Sequence, residues 1–150
     1  MNPTPATDPM LWLLIPVLFA ITATLLFFLV GHLLAAVGGW RALAEHYRAS
    51  DEPAGERFSW CSLRLRVVNY NNCLNLVAGR SGLHLSIFPL LRSGHPALLL
   101  PWSEITLTPS SGFLGPYLDL QTRRAPGVRL RLRRGLAEKI LHAAGQPIPA

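Results

Sequence analysis

The hydrophobic pattern of this chain changes period twice. From Met10 to Gly39 it has no period: thirty residues carry no Asp, Glu, Lys or Arg, and Trp, Leu, Ile, Phe, Val and Ala dominate. Water does not support a helix that is apolar on every face, whereas about 20 such residues, rising about 1.5 Å each, cross a bilayer. The pattern therefore predicts a transmembrane helix over 10–39. Asp8-Pro9 reads as its N-cap and first-turn proline, Pro16 falls in its second turn, and Trp12 and Trp40 stand near opposite ends as interfacial anchors do. The nine preceding residues hold one charge, Asp8, and no Lys or Arg. The run is also about twice as long as the apolar core of a cleaved leader. An uncleaved anchor is expected.

Period 3.6 follows. In WRALAEHYRA, Trp40, Leu43, Ala44 and Tyr47 share one helical face, with Arg41, Glu45 and Arg48 on the other. That predicts a short helix, either lying along the bilayer surface or continuing the anchor. SDEPAGER, residues 50–57, breaks the pattern and reads as a linker ahead of a domain that begins near Phe58.

Period 2 then takes over. Cys61, Leu63, Leu65 and Val67 alternate with Ser62, Arg64 and Arg66; Asn69 to Asn72 reads as a turn; Leu74, Leu76 and Ala78 fall on one side of the next strand. Gly79-Arg80-Ser81-Gly82 is a hairpin signal. Leu83, Leu85 and Ile87 point inward, with His84 and Ser86 outward, and His95 is expected exposed in the turn RSGHP. ALLLPW and EITLTP form one strand interrupted at Pro101 or two short ones, and YLDLQT and VRLRLR complete the set. Six or seven strands about a dozen residues apart indicate an antiparallel sandwich or barrel. GLAEKILHAAG closes the chain as a helix with Leu136, Ile140, Leu141 and Ala144 on one stripe, a suitable plug for an open barrel end. The expected class is α+β: a tail over 1–9, a span over 10–39, a juxtamembrane helix and linker over 40–57, a β domain with its C-terminal helix over 58–145, and a tail over 146–150.

Gly82-Leu83 opening one strand, and an apolar strand ending in Pro101-Trp102-Ser103-Glu104-Ile105, carry a resemblance. With strands in sequence and one terminal helix, residues 58–144 resemble the PH-like superfold in its bacterial and GRAM-like forms, and the chain resembles small single-span bacterial proteins. The resemblance implies the fold first. Phosphoinositide or peptide binding is what many members do, although their basic lipid-binding loop is not recognisable here.

Charge sets orientation and candidate partners. Arg41, Arg48 and Arg57 follow the span and no basic residue precedes it, so the positive-inside rule predicts an outward N-terminus and a cytoplasmic domain at a bacterial inner membrane. Residues 58–150 hold eleven basic and three acidic side chains, a net +8; residues 1–57 sum to −2, giving the chain its +6. Arg64 and Arg66, with Arg129, Arg131 and Arg133, alternate with apolar positions and form a basic face. An anionic leaflet attracts such residues by about 1 kcal/mol each. An acidic protein partner and nucleic acid are rival ligands, and a solvated face is the alternative to all of them. A pI of 10.4 suits nucleic acid, but no recognition helix, aromatic RNP-like pair or zinc signature accompanies it, and nucleic acid is not expected. PSSGFLGP, residues 109–116, offers Phe113 and Leu114 as an apolar contact loop or as side chains folded back on the core.

Catalytic patterns are missing. Cys61 and Cys73 form no CxxC, and His84, His95 and His142 have no metal-ligand spacing. Glu104 and Asp119 are not placed as an acid–base pair. No nucleophile elbow, phosphate loop or dinucleotide fingerprint occurs. Within the span, His32 is either a proton site or a headgroup-level residue bonded to a carbonyl, while Thr22 and Thr24 bond across a helix pair or back one turn. No enzyme, metal or cofactor is expected. The expected function is a membrane-anchored adaptor whose basic domain engages anionic lipid headgroups or an acidic partner; the alternative is a structural subunit of a larger membrane-protein complex.

Overall fold

The computed structural model describes residues 8–150, so the expected tail lies outside the described residues except for Asp8 and Pro9. Helix α1 runs Pro9–Gly38. The Asp8 carboxylate makes no capping bond; its backbone carbonyl instead accepts from the Leu11 amide at 2.8 Å. Every residue from Pro9 to Val30 is exposed. The helix is long and apolar enough to cross a membrane, and its Thr22 and Thr24 hydroxyls donate back to the carbonyls of Leu18 and Ala20, satisfying themselves within the helix.

The last two turns of α1 are built into the domain. Ala35 and Gly38 are buried, and Gly39 ends the helix at φ 86°, a left-handed conformation that glycine adopts without steric penalty. A Cβ on Gly38 would lie 3.1 Å from the Tyr70 hydroxyl, and one on Gly39 2.9 Å from Val128. The two glycines let the chain turn sharply while the helix end sits against the sheet.

Helix α2, Trp40–Tyr47, starts at once. Its apolar face neither lies on a bilayer nor extends the anchor: Trp40 and Leu43 are fully buried and Tyr47 nearly so, inside the domain core. The Trp40 indole donates to the Pro96 carbonyl at 2.9 Å. Helical period reveals an apolar face but not the surface that covers it, and here the covering surface is the sheet. Arg48 then bridges to Leu98.

The sheet comprises β1 (Gly55–Leu65), β2 (Val68–Gly79), β3 (Gly82–Ile87), β4 (Leu98–Pro101), β5 (Ile105–Gly112), β6 (Gly115–Thr122) and β7 (Arg129–Arg133), followed by helix α3 (Arg134–Ala143). Its order is β4-β3-β2-β1-β7-β6-β5, with every pairing antiparallel. It curls into a half-barrel, and α3 lays Ala137, Ile140 and Leu141 into its core. The domain is the α+β arrangement expected, an apolar N-terminal helix followed by an antiparallel sheet and a closing helix.

Two turns fall elsewhere than the sequence suggests. The first hairpin turns at Arg66-Val67, with Leu65 paired to Val68, so Asn69–Asn72 lie within β2. The Asn-rich stretch marks a bulge: Asn72 sits at φ 50°, its amide donates to Ser62 Oγ at 2.9 Å, and that hydroxyl donates to Asn72 Oδ1 at 3.0 Å. Asparagine tolerates this left-handed geometry, and therefore reads as a turn residue by sequence alone. Ahead of the expected boundary at Phe58, β1 already pairs from Gly55.

Candidate functional site

Strand alternation gathers the basic face as expected, but a local anion divides it. Arg64 on β1 stands directly opposite Arg131 on β7, a like-charge pairing that repels. Asp119 on β6 faces Arg131 from the other side and accepts two hydrogen bonds from its guanidinium, at 2.8 and 3.1 Å. Arg129 reaches the same carboxylate at 3.7 Å. Burial pushes the Asp119 carboxyl up, and the Arg131 bonds and charge more than reverse it, holding it below the ordinary carboxylate range. The same bonds raise the Arg131 guanidinium further, which also packs over the Tyr117 ring at 5.7 Å. Arg131 is therefore a sheet clamp with little charge to offer.

Arg64, Arg66 and the more loosely paired Arg129 are exposed. They line a concavity of about 460 Å³ together with Gln121, Pro126, Gly127 and Arg131. Arg66 occupies the hairpin turn at φ 55°; its amide donates to the Arg129 carbonyl at 2.9 Å, and its own carbonyl accepts from Arg64 Nε at 3.3 Å. Among the described residues Arg64 and Arg66 have no carboxylate partner. This concavity opens at the end of the sheet where Val68 and Val128 approach Gly38 and Gly39 at the end of α1. Arg133 is not part of it. It ends β7 opposite Tyr117 and borders an adjoining concavity of about 970 Å³, which Arg64 and Arg131 line as well.

That second concavity holds the apolar candidates. Phe113 and Leu114 are the two residues of the β5–β6 turn, since Gly112 pairs with Gly115. Phe113 is completely exposed and Leu114 largely so, which makes them a displayed tip and removes the folded-back alternative. Trp60, whose large indole by sequence suits either a groove or a core or sheet-rim position, joins them on the rim. It sits on a β1 bulge at φ 58°, is 64% exposed, and stacks on Phe88 at 5.6 Å.

Both domain histidines with expected exposure are buried instead. His95 packs between Trp40 and Tyr70. Its Nδ1 lies 2.9 Å from the Ser93 carbonyl, which only accepts, so Nδ1 carries the proton and Nε2 receives the Tyr70 hydroxyl at 3.0 Å. Burial lowers the His95 pKa despite that backbone bond, and pushes the Tyr70 phenol up to about 12. His84 projects from the convex face of β3, yet it too is buried, with Nδ1 unpartnered and its pKa lowered by burial. Alternation told which side His84 takes but not that the segment before β1 approaches that side. Glu104 is held by the Tyr47 hydroxyl at 2.7 Å and Arg124 at 3.2 Å, a structural role distant from acid–base work. Cys61 and Cys73 are free thiols, both raised in pKa by burial.

No family model, curated protein or solved structure matches the chain. What the arrangement can do chemically rests on the geometry itself: cationic side chains around an open concavity beside the end of α1, and an aromatic tip on a second concavity that shares Arg64 and Arg131 with the first.

Proposed function

We propose that this chain is a single-span, non-catalytic adaptor of a bacterial inner membrane, with its N-terminus outside and a PH-like domain in the cytoplasm that engages anionic lipid headgroups. One observation carries the reading: Arg64, Arg66 and Arg129 surround an open concavity at the end of the sheet that grips the last turn of α1. A domain held there by its own anchor presents that charge to the adjacent leaflet, where each exposed arginine contributes about 1 kcal/mol of attraction. The rigid joint at Gly38-Gly39 reduces the orientational freedom that a flexible linker would lose on docking. Orientation is supported by Arg41, Arg48 and Arg57 following the span. The strand order closing on a C-terminal helix supports the PH-like assignment.

The test compares hydrogen exchange of the full chain in nanodiscs of phosphatidylcholine with and without phosphatidylglycerol. Amides of the Arg66-Val67 turn and of residues 125–129 should be more protected with the anionic lipid, and salt or the R64A/R129A variant should remove the difference. Equal protection in both lipids would sink the headgroup reading.

The exposed Phe113 and Trp60 favour a second reading, a subunit of a larger membrane complex docking an apolar partner on that tip. A protein that co-purifies in mild detergent and is lost on Phe113→Ser would support it.

A further inference from the structure

A second group of basic residues, Arg48 and Arg92 with His32, lies beside α1 and outside the arginine face. About 20 residues span the hydrocarbon core, so a core filled by residues 11–30 leaves Gly31 and His32 at the level of the headgroups on the domain's side. There the loop between β3 and β4 climbs against α1: the Ser93 carbonyl oxygen lies 3.2 Å from where a Gly31 Cβ would be, and Gly94 fits because a Cβ would meet His32 at 3.1 Å. His32 Nδ1 lies 2.8 Å from the Phe28 carbonyl and 3.3 Å from the Ser93 hydroxyl, which fixes the ring against that loop. Arg92 precedes the loop, and its carbonyl accepts from the His95 amide at 3.0 Å. Arg48 approaches from the other side, where Ala49 donates to the Ala97 carbonyl at 2.9 Å. Together they line one concavity of about 590 Å³ that no acidic side chain borders. Arg48 and Arg92 are exposed, and among the described residues neither meets a carboxylate.

We propose that this concavity is a phosphate-binding site for the headgroup of an anionic phospholipid, held by Arg48 and Arg92 with His32 at its edge. Two exposed arginines lining one open space suit a phosphate, which accepts paired hydrogen bonds from a guanidinium. Basic pockets beside membrane helices on the cytoplasmic side hold phospholipid headgroups for the same reason. The surroundings are amphiphilic in the required sense. Leu90 and Leu91, directly before Arg92, are 74% and 38% exposed, and Leu29 on α1, one turn before His32, is exposed at 65%, so acyl chains have apolar neighbours where the phosphate has cations. The site is separate from the Arg64–Arg66–Arg129 concavity; it rests on the reading that α1 spans a bilayer only for the source of the phosphate.

Full-length protein in a non-ionic detergent, titrated with phosphatidylglycerol, phosphatidylcholine and inorganic phosphate and read by native mass spectrometry, tests the site. Wild type should retain one phosphatidylglycerol in preference to phosphatidylcholine. R48A/R92A should weaken retention at least about tenfold, the scale of one lost charge-assisted contact, while R80A, in the exposed β2–β3 turn outside both concavities, leaves this single tight lipid in place. R48K/R92K should restore part of the affinity, and an unchanged unfolding midpoint of R48A/R92A separates lost binding from lost folding. Competition by inorganic phosphate at equal concentration would assign the site to a free phosphate, and its failure to compete to a lipid headgroup. No retained ligand in wild type, or equal retention by R48A/R92A, overturns the proposal. Alkaline carbonate extraction tests the span separately: release of the chain from membranes removes the bilayer reading and leaves the detergent measurement to judge the phosphate site alone.

Discussion

Asp119 is buried with a side chain only 5% exposed, while its two arginine partners differ in what they would leave behind. Removing Arg131 strands a buried carboxylate and restores none of its hydrogen bonds, so Arg131→Ala should destabilise the domain by about 3 kcal/mol in denaturant titrations. Arg129 is 56% exposed at 3.7 Å, and Arg129→Ala should change stability by less than about 1 kcal/mol. Equal effects would mean that Asp119 is not clamped as described. The buried histidines set a pH window. His95 and His84 both have pKa values lowered from 6.5, so below about 6.5 the unfolded chain binds protons that the folded chain resists. Their contribution to stability is complete above that pH and falls as the pH drops toward the folded values. Unfolding midpoints should decline on acidification from pH 7 to 5, and His95→Gln should flatten part of the slope. Both effects were hidden from the sequence, because an HP dipeptide beside Gly reads as an exposed turn, whereas the Trp40 and Tyr70 rings that enclose His95 come from 55 and 25 positions away.

At the scale of elements, the joint between the helices decides how α1 meets the domain. Gly39→Ala places a Cβ at a left-handed φ, costing about 1–2 kcal/mol, and drives it into Val128. Limited proteolysis should then cut the Gly39–Arg41 region, which wild type protects, with the sheet otherwise intact. Trp40→Ala removes a fully buried indole with its bond to Pro96 and should cost about 3–5 kcal/mol. A helix lying on the membrane would tolerate it, so the same substitution separates the two placements of α2. The strands were legible because Leu74, Leu76, Leu83 and Leu85 keep period 2 on one face of β2 and β3. The first hairpin was not, since Asn72 and Trp60 occupy bulges whose register depends on the partner strand.

Over the whole molecule, the basic charge is distributed around the foot of the anchor: Arg64, Arg66 and Arg129 border one concavity, Arg48 and Arg92 another. Periodicity grouped the first set because strand neighbours share a face. It could not join Arg48 to Arg92, which are brought to one concavity by the β4 edge and the loop that climbs α1. A reporter fused after Ala150 with a labelling control at an exposed Phe113→Cys should report a cytoplasmic domain, and a periplasmic signal would reverse the orientation and redirect the charge to the outer face of the same membrane.

By itself the sequence determined the elements whose cause is local. An uninterrupted apolar run specifies a helix suited to lipid, and alternation specifies strands with one buried face, because each follows from backbone geometry and neighbouring side chains. Only the tertiary structure decided that Trp40 belongs to the core, that Asp119 takes Arg131 out of the charged face, that His95 is enclosed, and that Arg48 and Arg92 share a space. Each of those is a meeting of residues distant in the chain, fixed by how the curled sheet, the Gly38-Gly39 joint and the Ser93–His95 loop close on one another.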